Sequence, residues 1–388
     1  ALTLSHIART GTRSRVRTAA RQTMHPLCGA DIGTLKAVFG RGGRPARGKA
    51  GTASMIWLAA LARWPSTALE RRIIADKLPN LREIPPPVFI LGHWRSGTTH
   101  LYNIMSRDAF GYVPPLATGL PWDLFGIGRI AGPLLHRALP EHRYIDRMAV
   151  NPDSPQEDEF AIANMSSESF YHGLYFPRHF GAWLKRGLFF EGSTETEIQQ
   201  WRSAFSHFMQ KMALHQGKRL LIKNPVYTGR VAMLREIFPE AKFIHIHRNP
   251  YDVFVSMQNF YKKLLEVMAL QDYRHVDIDA AILEVYPRMM ARLEEDTRDL
   301  PASQFVEVAY KDLDERPMET VERIYSMLDL PGFEAAAPEF QRYLESVRTY
   351  RKNAFKGSAE ALGLVDSHWR RYVEKWAYAR PAIDPENA

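Results

Sequence analysis

Four short apolar runs punctuate the chain, and each is followed by residues with helical spacing. Val88–Leu91 (VFIL) is set off by Pro85–Pro87 and by Gly92, and reads as a buried strand; Thr98–Arg107 reads as the helix after it. Arg219–Asn224 (RLLIKN) predicts a second strand, and Thr228–Phe238 a helix that stops at Pro239. Lys242–His247 (KFIHIH) predicts a third strand, and Pro250 then opens a helix through about Lys263, since proline lacks an N–H that a first helical turn leaves unpaired anyway. Gln304–Ala309 (QFVEVA) predicts a fourth strand, with a helix over Met318–Leu330. Strands alternating with helices predict an α/β fold with a central, mostly parallel sheet covered by helices on both faces. Asp123–His215 carries no strand signal and is expected to form the acceptor side of a cleft, while the tail from Phe333 is polar with scattered aromatics.

Composition adds an N-terminal feature. The chain has 388 residues, 45% hydrophobic and 24% charged, as in an ordinary globular protein. Its net charge of +8 is unevenly placed: residues 1–50 hold ten Lys or Arg against the single acid Asp31, and the remainder holds 41 basic and 42 acidic residues. The body is near neutral, so nucleic acid is not an expected partner; the excess belongs to a basic arm and helical extension over 1–84, ahead of a main domain over 85–388. Ala50–Ala62 is a run of 13 uncharged residues, shorter than the roughly 20 needed for a spanning helix. The arm with this run could dock on an anionic membrane surface or lie solvated on the protein. The arm has no apolar h-region, and the lone Cys28 permits no internal disulfide, so a cytoplasmic setting, with peripheral membrane contact as an option, is the expectation.

The chemistry-bearing segment is Gly92–Thr99, GHWRSGTT, on the turn from the first strand into its helix. GxxxxG followed by hydroxyl residues is P-loop spacing: glycines let backbone N–H groups close around phosphate oxygens, and the helix N-terminus adds a favourable dipole. The fold expected is therefore P-loop NTPase-like. Thr98 stands where a nucleoside-triphosphate loop has its lysine, and the cation sits instead at Arg95. That placement suits a donor with a 5'-phosphate leaving group and no metal-bridged γ-phosphate. A second cation and hydroxyl pair, Arg248 and Ser256, brackets the turn after the third strand (FIHIHRNPYDVFVSM) and could meet on one terminal phosphate. Lys223 closes the second strand in LLIKNPVYTGR, either at the site or as a solvated strand cap.

Together, RSGTT at Arg95–Thr99 and the Arg248 to Ser256 segment resemble the 5'-phosphosulfate loop and the 3'-phosphate motif of bacterial-type sulfotransferases that use 3'-phosphoadenosine 5'-phosphosulfate (PAPS) and release PAP. Lys223, Pro225 and Tyr227 are similar to a KxPxY segment in which the lysine supports the transferring group. The resemblance implies sulfuryl transfer without a metal onto a hydroxyl or amine of a small acceptor, and covers roughly Val88–Leu330. It implies that Arg95, Ser96, Gly97, Thr98 and Thr99 hold the 5'-phosphosulfate, that Arg248 and Ser256 hold the 3'-phosphate, and that Tyr310 touches the nucleotide. His100 stands where many relatives have an adenine-contacting Trp. Arg351, Lys352 and Lys356 fall where relatives close a basic loop over the 3'-phosphate, although the usual glycine pattern is absent.

The transfer needs a base. In NPDSPQEDEF, Glu157 matches the place of a catalytic glutamate in GluxxPhe, with Glu159 beside it; Ser154 and Glu157 also fit a helix capping box. His93, His172 and His179 are further candidates. Trp122, Phe125, Phe170, Tyr171, Tyr175, Phe176 and Trp183 form either an apolar acceptor wall, suited to a lipid, terpenoid or phenol, or ordinary core. His245 and His247 share a strand face but read as strand residues rather than metal ligands. A P-loop nucleotide or small-molecule kinase, and a basic-arm nucleic-acid or membrane-binding protein, stand as the alternatives.

Overall fold

The structure, a computed structural model, describes residues 24–107, 110–129, 154–348 and 357–382. Its centre is a four-stranded parallel sheet of β1 (Val88–Leu91), β2 (Leu221–Lys223), β3 (Lys242–His247) and β4 (Phe305–Ala309), in the order β2-β1-β3-β4. β1 and β3 fall at the predicted residues; the second strand is trimmed at both ends and the fourth by one residue. All four residues of β1 are buried, as a strand covered on both faces requires. Side chains alternate between two cores: Phe89 and Leu91 join Ile222 and Phe243 on one side, while Val88 and Ile90 join Ile244, Val306 and Val308 on the other.

The helices that position the site are α1 (Ile32–Gly42), α2 (Ala50–Ala75), α3 (Thr98–Met105), α4 (Glu159–Met165), α5 (Glu195–Gln216), α6 (Pro250–Met268), α7 (Ile278–Thr297) and α8 (Pro317–Met327); shorter ones are given by their residues. α3 ends before Arg107 because its last turn closes on Ser106. The helix predicted over Thr228–Phe238 is a 3-10 turn, Pro225–Gly229, followed by Val231–Ile237, because Asn224 accepts the N–H of Val226 and caps a tighter turn first. α6 runs past Lys263 to Met268 since its buried face continues through Leu264, Leu265 and Met268. α8 follows a separate helix, Tyr310–Glu315, and ends at Met327.

Burial bears on two readings left open by the sequence. Residue 84 is no break in the core: Leu27, Leu35, Val38 and Ile56 are buried in the cluster that contains Phe89 and Leu91, so the described part of the N-terminal region is built into the body rather than solvated. The aromatics Phe170, Tyr171, Tyr175, Phe176 and Trp183 are core, each 2% exposed or less, and do not form an open wall. Trp122 and Phe125 are only partly buried; the Trp122 indole donates to the Asn164 carbonyl at 2.9 Å.

The order β2-β1-β3-β4 places the site. From β1 the chain goes to one side to make β2, then crosses to the other to make β3, and such a reversal opens a crevice at the carboxyl ends of the strands. The loop after β1 occupies that crevice. Beneath it, Phe89 stacks on Phe243 at 5.6 Å and meets Tyr227 edge-on at 6.0 Å. Phe89→Ala should cost about 3–5 kcal/mol through lost burial and a cavity under the loop, read as the loss in free energy of urea unfolding.

Candidate active site

The loop Gly92–Gly97 follows from the chemistry of its own residues. Gly92 has φ +144° and Gly97 φ +101°, and a Cβ on Gly97 would lie 2.2 Å from Cδ2 of Tyr310. No other residue fits there. Arg95, a non-glycine, is held at φ +70°, a strained conformation of a kind that collects at functional sites. The N–H of Gly92 donates to Thr228 Oγ1 at 2.8 Å, pinning the loop to the turn after β2. Ser96 Oγ is buried and makes no hydrogen bond among the described residues. The first turn of α3 supplies N–H groups with no carbonyl a turn earlier to receive them. A buried hydroxyl and a set of N–H groups at the loop fit phosphate oxygens.

The second anion position adjoins the first. The Arg95 Nε–H donates to Ser256 Oγ at 2.8 Å, and Arg248 Nη1 lies 3.4 Å from the Arg95 carbonyl oxygen. Arg248 also pairs with Asp252 one turn on, at 3.2 Å, and its guanidinium lies 5.0 Å from the centre of the Tyr310 ring. Residues far apart in sequence thus converge because the loop after β1, the start of α6 after β3 and the start of the helix after β4 are neighbours at one end of the sheet. Beside them a cavity of about 580 Å³ is lined by His100, Tyr310, Asp314, Met318, Tyr343 and Arg348 among others. Arg351, Lys352 and Lys356 lie outside the described residues.

Lys223 ends β2 and is buried rather than solvated. Its ammonium pairs with the Glu157 carboxylate and lies 3.3 Å from Thr99 Oγ1. Glu157 keeps 10% of its side chain accessible. α4 begins at Glu159, not after Ser154, so Glu157 is not a capping-box residue and its carboxylate faces Lys223. Glu159 is engaged elsewhere: it is buried, accepts from the Ser169 hydroxyl at 2.6 Å, the Phe170 N–H at 3.1 Å and the Asn224 amide at 2.9 Å. Those bonds occupy both Glu159 carboxylate oxygens and orient the first turn of α4. Asp158 is likewise buried, bonded to Asn224 at 2.9 Å and to the Tyr227 hydroxyl. Burial raises its pKa to about 7, against the lowering effect of the Tyr227 hydrogen bond.

The histidine candidates are engaged with other partners or exposed. His93 is buried, its pKa lowered to about 4 by desolvation, with Nδ1 3.1 Å from the Trp94 carbonyl. His172 is wholly buried between the Ser167 and Ala163 carbonyls at 3.1 and 3.0 Å, and burial holds its pKa near 4. His179 is exposed in the turn Pro177–His179. His245 bonds Glu307 at 2.9 Å and His247 bonds the Tyr378 hydroxyl at 2.9 Å; among the described residues no group of three His, Cys, Asp or Glu could hold a metal.

Sequence reading missed the braces of this site. Tyr378 donates to the His247 carbonyl at 3.3 Å, and Asn249, the cap of α6, reaches the Ala379 carbonyl at 3.0 Å, so the C-terminal segment holds the turn that carries Arg248. Thr228 and the Asn224–Asp158–Tyr227 set are also tertiary contacts; only the presence of Asn224, Tyr227 and Thr228 in LLIKNPVYTGR signalled them.

The α/β fold carries a P-loop-like turn without the P-loop lysine, a lysine at the next strand end and an adjoining arginine and serine, a set of donors suited to phosphate oxygens. The chain belongs to the Sulfotransferase family, whose sequence pattern it matches over residues 86–335. It is 29% identical over 325 residues, 84% of this chain and 82% of the relative, to the omega-hydroxy-beta-dihydromenaquinone-9 sulfotransferase Stf3 of Mycobacterium bovis, and equally to that of Mycobacterium tuberculosis. Its fold is shared with the sulfotransferase STF9 of Mycobacterium avium, at TM-score 0.64 and 15% identity over 93% of this chain and 98% of that one. The sulfotransferase STF1 of Mycobacterium tuberculosis aligns at TM-score 0.59 and 20% identity, over 80% of this chain and 84% of that one. The protein is a sulfotransferase and uses a sulfuryl donor; the kinase and non-enzymatic alternatives are set aside by the family match.

The raised Asp158 pKa gives a stability slope. An acid whose folded pKa lies above its unfolded value stabilises the fold most at low pH, and that contribution is lost as pH rises through the folded pKa. For Asp158 the window runs from about 4 to about 7. Asp158→Asn should flatten the pH dependence of unfolding free energy in this window, measured by urea denaturation at stepped pH.

Proposed function

We propose that the protein transfers a sulfuryl group from PAPS to the hydroxyl of a lipid-like alcohol. The observation that carries this reading is the contact of Arg95 with Ser256 and of Arg248 with the Arg95 backbone, which sets two anion positions side by side as the two ends of one 3',5'-bisphosphorylated adenosine require. Ser96, Thr98, Thr99 and the α3 N-terminus take the 5'-phosphosulfate; Arg248 and Ser256 take the 3'-phosphate; Tyr310 and His100 flank the nucleoside through the cavity they line. The acceptor draws on the Stf3 relative, which is named for an omega-hydroxylated menaquinone derivative. An acceptor of that kind resides in a bilayer, so the reading includes peripheral membrane contact.

The reaction is an in-line displacement at sulfur. The acceptor oxygen forms the new S–O bond, the bond from sulfur to the 5'-phosphate oxygen breaks with its electron pair, PAP leaves, and the acceptor proton passes to Glu157. Lys223 lies between Glu157 and Thr99 of the phosphate loop, which puts a cation where charge grows on the departing phosphate and beside the carboxylate that takes the proton. Arg95, bonded to Ser256, ties the phosphate loop to the 3'-phosphate position. No step needs a metal, because the transferred group carries its charge against fixed cations.

Glu157→Gln should lower kcat by about 10²- to 10⁴-fold, the usual worth of a general base, while PAP affinity stays within a few-fold of wild type. Turnover with labelled donor over a panel of long-chain alcohols, with PAP titrated calorimetrically, reads both. Near-normal turnover would remove Glu157 from the mechanism. PAP binding that requires Mg²⁺ would overturn the donor assignment.

A further inference from the structure

α2 buries Ala53, Ile56, Ala60 and Ile74, yet it departs from the usual pattern of a helix on a water-exposed surface. Such helices bury an apolar stripe and turn their charges outward. Here the charged residues in the middle of the helix point inward and are paired: Arg63 meets the buried Asp123 and the Cys28 and Ala30 carbonyls, and Glu70 is buried against Lys211 and the N–H groups of Phe125 and Gly126. The opposite half of the circumference presents Met55, Leu58, Leu61, Trp64, Leu69 and Ile73 to solvent. Leu58 is 64% exposed and Trp64 62%, high values for large apolar side chains. From Ala50 to Leu69 the outward residues include no charged side chain. At 1.5 Å per residue the stripe from Met55 to Ile73 is about 27 Å long.

The charges at its ends identify what covers it. Arg44 and Arg47 are exposed just before α2, and Arg72 lies on the outward side of its last turn; none of the three pairs with an acid among the described residues. Between residues 32 and 75 the only acid is Glu70, which is buried. A second copy packed face to face would bring Arg44, Arg47 and Arg72 of one copy against those of the other, with Asp76, the exposed cap at the helix end, as the one exposed acid of residues 32–76 to offset them. An anionic lipid surface offers apolar depth for the stripe and negative headgroups for the cations. Among the described residues no helix is long and apolar enough to cross a membrane, so the contact lies along the surface.

We infer that the outward face of α2 is a membrane-docking surface, which lays the helix in the headgroup region of a bilayer containing anionic lipid. The inference extends the proposed lipid acceptor but does not depend on it, because flotation reads the contact whether or not sulfate is transferred. The test is co-flotation of the full chain with vesicles of phosphatidylcholine alone and of phosphatidylcholine mixed with phosphatidylglycerol, at physiological salt. Wild type should float with the mixed vesicles and much less with the neutral ones. Leu61→Glu combined with Trp64→Glu should abolish flotation, and Arg44→Gln and Arg47→Gln should each weaken it about fivefold. Each variant should melt at the wild-type temperature, since all these side chains are exposed. Failure of wild type to float overturns the inference, as does flotation unchanged in Leu61→Glu/Trp64→Glu. A wild-type dimer that the same pair of substitutions splits, without any flotation, assigns the face to a second copy instead.

Discussion

The structure depends on one juxtaposition: the carboxyl ends of β1 and β3 are adjacent strand ends in a parallel sheet, and the cations that follow them cannot be far apart. β1 ends at Leu91 and β3 at His247, paired along their length from Val88 with Lys242 to Leu91 with His245. From there the loop after β1 carries Arg95 and the start of α6 carries Ser256, and the two meet at 2.8 Å. Arg248 lies against the same loop, on the Arg95 carbonyl. Two concentrated positive charges are tolerable there because Asp252 answers one of them, and the proposed nucleotide would answer the other.

Around this junction the fold spends its buried polar groups on position. Asn224 holds Asp158 and Glu159 together, Tyr227 bonds Asp158, and Ser169 and the Phe170 N–H take up Glu159, so the start of α4 is fixed and Glu157 is presented to Lys223. A carboxylate buried without such partners would be costly; buried with them it is a rigid mount. The C-terminal segment does the same for the Arg248 turn through Tyr378 and Ala379. The sheet supplies adjacency, the networks supply orientation, and the loop glycines supply close approach.

Much of this was legible in the sequence. VFIL lies at the predicted strand position because a strand buried on both faces has no polar residue to blur its ends, KFIHIH because Pro239 and Pro250 bracket it, and GHWRSGTT announced its turn through glycines that the backbone conformation requires. The GluxxPhe resemblance put Glu157 ahead of Glu159, but their surroundings were not legible: two residues apart, one faces Lys223 and the other is enclosed, as the position of the first turn of α4 dictates. The aromatics between Phe170 and Trp183 illustrate the same limit, since composition is identical for a ligand wall and a packed core. The uncharged run Ala50–Ala62 was visible, but that Arg63 and Glu70 turn inward while Leu61 and Trp64 turn outward is a tertiary fact, set by Asp123 and Lys211 far along the chain.

The claim that both anion positions hold one nucleotide is tested most directly by measuring the affinity of PAP and of AMP, which lacks the 3'-phosphate, for wild type and Arg248→Ala. The account predicts that the substitution weakens PAP by about 10- to 100-fold, the worth of a charged hydrogen-bonded contact, and leaves AMP unchanged. Equal weakening of both ligands, or of neither, would contradict it.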